Sequence, residues 1–147
     1  MAGFEGNAFL SLMALASKDV KIEDHLRSPC LQSHSSVIFE LFRKIMREKN
    51  LSSCVFTSIH NVAYYSNFVY CAFGRPYGLV VPLEGEPTTV SALIDGGQPW
   101  RRCYGDNVVY TDWRRDNFVR AVSDLVKKSA AGNVGIEFDH LNLQMHQ

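Results

Sequence analysis

Several groups of residues in this 147-residue chain have the types from which sites are built. Glu137, Asp139 and His140, with His60 further back, offer carboxylate and imidazole donors, and strand alternation would put Glu137 and Asp139 on one face with His140 beside them. No HxxxH or HxH spacing accompanies them, so the favoured expectation is no metal: Glu137 and Asp139 end a strand at a solvated loop, and 140–147 begins a helix. Serines are plentiful and there are four cysteines, yet no GxSxG elbow and no cysteine with a flanking signature is present. The expectation is that this chain carries no catalytic residue of its own.

Two Trp-Arg-Arg runs, Trp100, Arg101, Arg102 and Trp113, Arg114, Arg115, have the chemistry to stack on bases and neutralise phosphates. Asp95, Asp106, Asp112 and Asp116 lie close by in sequence, which favours ion pairing of the arginines over nucleic-acid binding. The loop Phe73, Gly74, Arg75, Pro76, Tyr77, Gly78 is more informative. An arginine follows the uncharged segment 51–74; Gly74 relieves steric limits, and Pro76 fixes its own φ while pushing Arg75 toward extended backbone. A fixed guanidinium beside an aromatic ring can hold a carboxylate, or it can bridge to an acidic side chain. The following loop, Asp95, Gly96, Gly97, Gln98, Pro99, Trp100, suggests a subunit contact or a core plug.

The elements that must position these residues are legible in outline. Ile38, Leu41, Phe42, Ile45 and Met46 recur at helical spacing between Ser36 and Lys49, with Ser35 or Ser36 as cap. Cys54, Val55 and Phe56 centre a buried strand over 53–57, and 60–65 can make one or two helical turns. The runs 77–83 and 88–94, separated by Glu84, Gly85, Glu86 and Pro87, predict a β-hairpin. A strand over 107–110 precedes a helix with Phe118, Val122 and Leu125 on one stripe, Val119 and Val126 beside it, Asp112 as cap and Lys127 and Lys128 at its end. A last strand follows over 134–138. Five to six strands and two main helices make an α/β domain, a mixed sheet flanked by helices, the economical architecture.

Composition limits the partners. The chain is 46% hydrophobic and 20% charged, with 15 Lys plus Arg against 15 Asp plus Glu, so it supports a core and carries no global field for polyanions. The four cysteines form no metal pair and suit a reducing, cytoplasmic compartment. The apolar stretch 7–17 follows Glu5 and is about half a bilayer in length, so neither a secretion signal nor an anchor is expected. Residues 1–33 show no sustained period and form an atypical or poorly ordered extension before a domain over 34–147.

Five runs in order carry a resemblance: TSIHNVAYYS at 57–66, YCAFGRPY at 70–77, IDGGQPWRR at 94–102, YTDWRRDN at 110–117 and GIEFDHLNL at 135–143. Over about residues 53–147 the chain resembles the N-terminal domain of the creatinase family, the creatine amidinohydrolases within the pita-bread superfamily of aminopeptidase P and prolidase. The resemblance implies a mixed sheet flanked by helices, followed in the family by a pita-bread catalytic domain that this chain does not include. It implies hydrolysis of creatine to sarcosine and urea without a metal or other cofactor, by a histidine and glutamates of that second domain. It also implies a dimer in which this domain reaches over its mate's active site, where Phe73 and Arg75 match the family's substrate-contacting Phe-Gly-Arg motif. The expected partners are creatine or a related guanidino acid once a catalytic domain is supplied, and a second copy or a full-length relative, with no nucleic acid and no membrane. A stand-alone interaction module and the N-terminal domain of a Xaa-Pro peptidase-like protein are the alternatives.

Overall fold

The computed structural model describes residues 30–70, 74–96, 103–111, 113–114 and 116–140, with side chains of the first helix described from residue 36. Along the chain run α1 (Cys30–Glu48), β1 (Leu51–Phe56), α2 (Ile59–Ser66), β2 (Gly78–Pro82), β3 (Thr88–Ala92), a 3-10 turn (Leu93–Asp95), β4 (Asp106–Tyr110), α3 (Asn117–Lys128) and β5 (Asn133–Ile136). The five strands form one mixed sheet in the order β4-β3-β2-β1-β5. β2 pairs antiparallel with β1 and with β3, whereas β4 runs parallel to β3 and β5 parallel to β1. The expected hairpin is β2–β3, turned by residues 83–87.

β1 reads as an almost continuous buried run because it lies inside the sheet with helices packed toward both faces. On one face Phe42 of α1, Phe56 of β1 and Tyr65 of α2 make a three-ring cluster, with centroids 5.6 Å (Phe42–Phe56), 5.3 Å (Phe42–Tyr65) and 4.7 Å (Phe56–Tyr65) apart. On the other, α3 packs over β2, β3 and β4 through the buried Phe118 and Val122. Val119, Leu125 and Val126 pack partly buried against the same core, as their spacing predicts.

Four details depart from expectation. α1 begins at Cys30, so Ser35 and Ser36 lie inside the helix and not at its start. Its buried stripe is Phe39, Phe42 and Met46; Phe39 is 1% exposed, while Leu41, expected in the core, is 56% exposed. Two residues along a helix turn the side chain by about 200°, so once Phe39 stacks on Tyr104 at 5.3 Å, Leu41 must face away. α3 starts at Asn117 behind Asp116, whose side chain makes no capping bond, and the expected cap Asp112 lies outside the described residues. β5 ends at Ile136, because Glu137 leaves the strand for a buried hydrogen-bonded site and Phe138, Asp139 and His140 turn. No helix among the described residues is long and apolar enough to cross a membrane.

Candidate functional site

Sheet register gathers the informative loops at one end. Val55 pairs with Ile136, Phe56 with Leu79 and Ala92 with Tyr110, so the C-terminal ends of β1, β3, β4 and β5 lie beside the N-terminal end of β2. The Arg75 loop enters β2 there, and the 3-10 turn leaves β3 at the same level.

That loop is held at several points. Gly74 adopts φ +76° with nothing near its Cβ direction, so the requirement is a left-handed dihedral and not space. The Pro76 carbonyl accepts the Tyr110 hydroxyl at 2.8 Å, which ties the loop to β4. Tyr77 is fully buried, stacks on Tyr70 with centroids 3.9 Å apart, and donates its hydroxyl to the Asp95 carboxylate. Arg75 sits half-buried between these anchors. Phe73 lies outside the described residues, as do Trp100, Arg101, Arg102, Asp112 and Arg115, so neither the Phe73–Arg75 pairing nor most of the expected arginine ion pairs falls within the description.

Sequence reasoning missed the surface around this loop. Trp113 is 88% and Phe138 83% exposed, and Leu93 and Ile94 also face solvent. Each was assigned to a strand end or to a Trp-Arg-Arg run. The available signal was their position just past the strands' last paired residues, where alternation no longer points inward. Chemically, this end of the sheet carries a half-buried arginine on a backbone held at Pro76 and Tyr77, and exposed apolar side chains past the ends of β3, β4 and β5.

The second cluster resolves the acidic motif. Glu137, 3% exposed, accepts hydrogen bonds from the Thr57 backbone N–H (2.5 Å), the Ser58 N–H (2.7 Å), the Ser58 hydroxyl (2.6 Å), the Thr57 hydroxyl (3.3 Å) and the Asn61 side-chain amide. Ser58 also caps α2 through Asn61 N–H. Burial pushes the carboxyl upward, but the bonds from Ser58, Thr57 and Asn61 outweigh it and hold the group below the ordinary glutamate range. The expectation of a solvated strand end is therefore corrected for Glu137, because the Thr57 and Ser58 N–H groups at the β1–α2 turn need an acceptor and this carboxylate is in reach. Asp139, His140 and His60 are exposed, and no group of three metal-ligating side chains occurs among the described residues.

Mixed sheet, helices on both faces and a buried carboxylate tying β5 to the β1–α2 turn together define an α/β domain. The chain belongs to the Creatinase/Prolidase N-terminal domain family, whose family model matches residues 39–147. It is 44% identical over 107 residues to creatinase from Bacillus sp. (strain B-0618), covering 71% of this chain and 26% of that protein. The chain thus spans about a quarter of that relative's length. Among solved structures, a proline dipeptidase from Streptococcus agalactiae superimposes with TM-score 0.65 at 20% identity, covering 76% of this chain and 83% of that one. The Creatinase/Prolidase N-terminal domain of an X-Pro dipeptidase from Streptococcus pyogenes gives TM-score 0.64 at 18% identity, covering 75% and 82%. At that identity the likeness establishes the fold, which is the mixed, helix-flanked sheet expected from sequence.

Proposed function

We propose that this chain is the non-catalytic N-terminal domain of a creatinase-like amidinohydrolase, supplying Arg75 and Phe73 to a substrate site completed by a catalytic domain. The observation that carries this reading is the 44% identity with creatinase across 107 residues, a span that includes the loop around Arg75 within the matched family region. Creatine bears a carboxylate at one end and a guanidinium at the other. A guanidinium held by a pinned loop can fix the carboxylate bidentately and so aim the reacting carbon at catalytic groups on the facing domain. Arg75 orients and moves no proton, and Phe73 walls the pocket against water. The exposed Leu93, Ile94, Trp113 and Phe138 suit a contact with a second subunit. The thiol-state Cys54 and Cys103 suit a reducing, cytoplasmic setting.

The test is a chimera in which this chain's residues 39–147 replace the matching segment of the Bacillus creatinase. Creatine hydrolysis is expected, and Arg75→Ala should lower kcat/KM by about 10- to 100-fold, since a hydrogen bond to a charged group contributes roughly 1.5–3 kcal/mol. Unchanged kinetics would remove the clamp. An inert creatinase chimera, together with Xaa-Pro cleavage by the same graft on a proline dipeptidase, would move the domain to the peptidase branch.

A further inference from the structure

Phenylalanine would fill the place of the Tyr110 ring, which is buried at the end of β4 edge-on to Phe118 of α3, with centroids 5.6 Å apart and planes at 67°. What the hydroxyl adds is its 2.8 Å bond to the Pro76 carbonyl. Pro76 is exposed, so water can serve that carbonyl in its place, and the effect of the bond falls on where the loop lies more than on stability. Little slack separates the bond from Arg75. The Arg75–Pro76 peptide is planar and the proline ring locks φ. Between the Arg75 Cα and the Pro76 carbonyl carbon the one soft rotation is therefore Arg75 ψ, which the proline confines to extended values. Phe118 braces both sides of this link: its ring also lies against Gly78, the first residue of β2, where a Cβ would come within 3.1 Å of it. Tyr77, next to Gly78, is fixed in turn by Tyr70 and Asp95.

We infer that Tyr110 is a positioning residue that makes Arg75 a ruler for the substrate. This rests on the reading above that Arg75 takes the substrate's carboxylate. The Tyr110 hydroxyl then fixes the distance from that carboxylate to the reacting carbon, and so selects the number of carbons between the carboxylate and the guanidinium of a guanidino acid. A clamp on a free loop would follow a longer acid, whereas a clamp set by β4 and α3 does not. One extra methylene displaces the reacting carbon by roughly 1 Å, a shift that can cost about 100-fold in rate.

The full chain is tested first. Tyr110→Phe should keep the far-UV circular dichroism and thermal midpoint of wild type, while phenylglyoxal, an arginine reagent, modifies Arg75 several-fold faster relative to Arg47 on α1, as read by peptide mass mapping. In the creatinase chimera, Tyr110→Phe should lower kcat for creatine by about 3- to 10-fold with KM within about twofold. It should shrink by a similar factor the preference in kcat/KM for creatine over its homologue with one more methylene. Added to Arg75→Ala it should change nothing further, because it acts through that side chain. The inference is overturned by an unchanged Arg75 labelling rate, by an unchanged preference, or by a loss that multiplies with that of Arg75→Ala, as a merely structural effect would. A collapsed fold in Tyr110→Phe would also overturn it, since the hydroxyl would then serve stability. In each of these cases the clamp itself stands if Arg75→Ala alone lowers kcat/KM. If the chimera is inert, or Arg75→Ala leaves its creatine kinetics unchanged, the clamp falls and the ruler with it.

Discussion

Replacing Glu137 with Ala would expose how much of this domain depends on one buried carboxylate. The side chain accepts from two backbone N–H groups, two hydroxyls and an amide at the junction of β1, α2 and β5. Its removal leaves the N–H groups of Thr57 and Ser58 without that acceptor, and an unsatisfied buried donor costs about 1–3 kcal/mol. The bonds do not simply add, because the carboxylate itself gave up hydration when buried. A net loss of about 3–5 kcal/mol is the expected size for breaking a buried charged network, against a total stability of about 5–15 kcal/mol. Urea titration followed by far-UV circular dichroism would read this as a lower midpoint. The sign of the pH effect follows from the carboxyl's lowered folded-state pKa. Its stabilisation is complete above the unfolded-state glutamate value and is lost as pH falls through the lower folded value, because there the unfolded state binds the extra proton. Wild type should therefore lose stability through that acid window more steeply than Glu137→Gln, which retains size but brings an NH₂ donor among donors. A Glu137→Ala loss below about 1 kcal/mol, or identical acid limbs for wild type and Glu137→Gln, would refute the reasoning.

Phe39→Ala should destabilise by about 3–5 kcal/mol while Leu41→Ala changes stability by under about 1 kcal/mol, measured by the same titration; equal losses would contradict the helix register. Gly105→Ala should destabilise strongly, since Gly105 holds φ +82° and a Cβ there runs into the Pro87 carbonyl that accepts Asp106 N–H at 2.8 Å; a thermal midpoint equal to wild type would count against this. Burial pushes the Cys54 thiol up to about 12 and Cys103 up to about 11, so both should resist alkylation of native protein at pH 8 and react on unfolding; rapid native labelling mapped to either would overturn that placement.

The amino-acid sequence by itself determined the elements whose signals are local. The hairpin follows from two aliphatic, β-branched runs around Glu84, Gly85, Glu86 and Pro87, and α3 from a stripe that Phe118 and Val122 do bury. Gly74 and Pro76 likewise marked a shaped loop around Arg75, because dihedral preference belongs to the residue itself. Tertiary structure decided what depends on partners distant in the chain. Phe39 displaced Leu41 from the core because Tyr104 and Tyr65 wait on its side of α1. The spacing alone fits either stripe within one helical turn. Glu137 looked like the solvated end of a strand until β5 laid it against Thr57 and Ser58, some 80 positions earlier, where two N–H groups of the β1–α2 turn needed an acceptor. That the Arg75 loop and the segments carrying Leu93, Ile94, Trp113 and Phe138 leave the same end of the sheet is also a product of tertiary pairing, since β1, β3, β4 and β5 run one way and β2 the other.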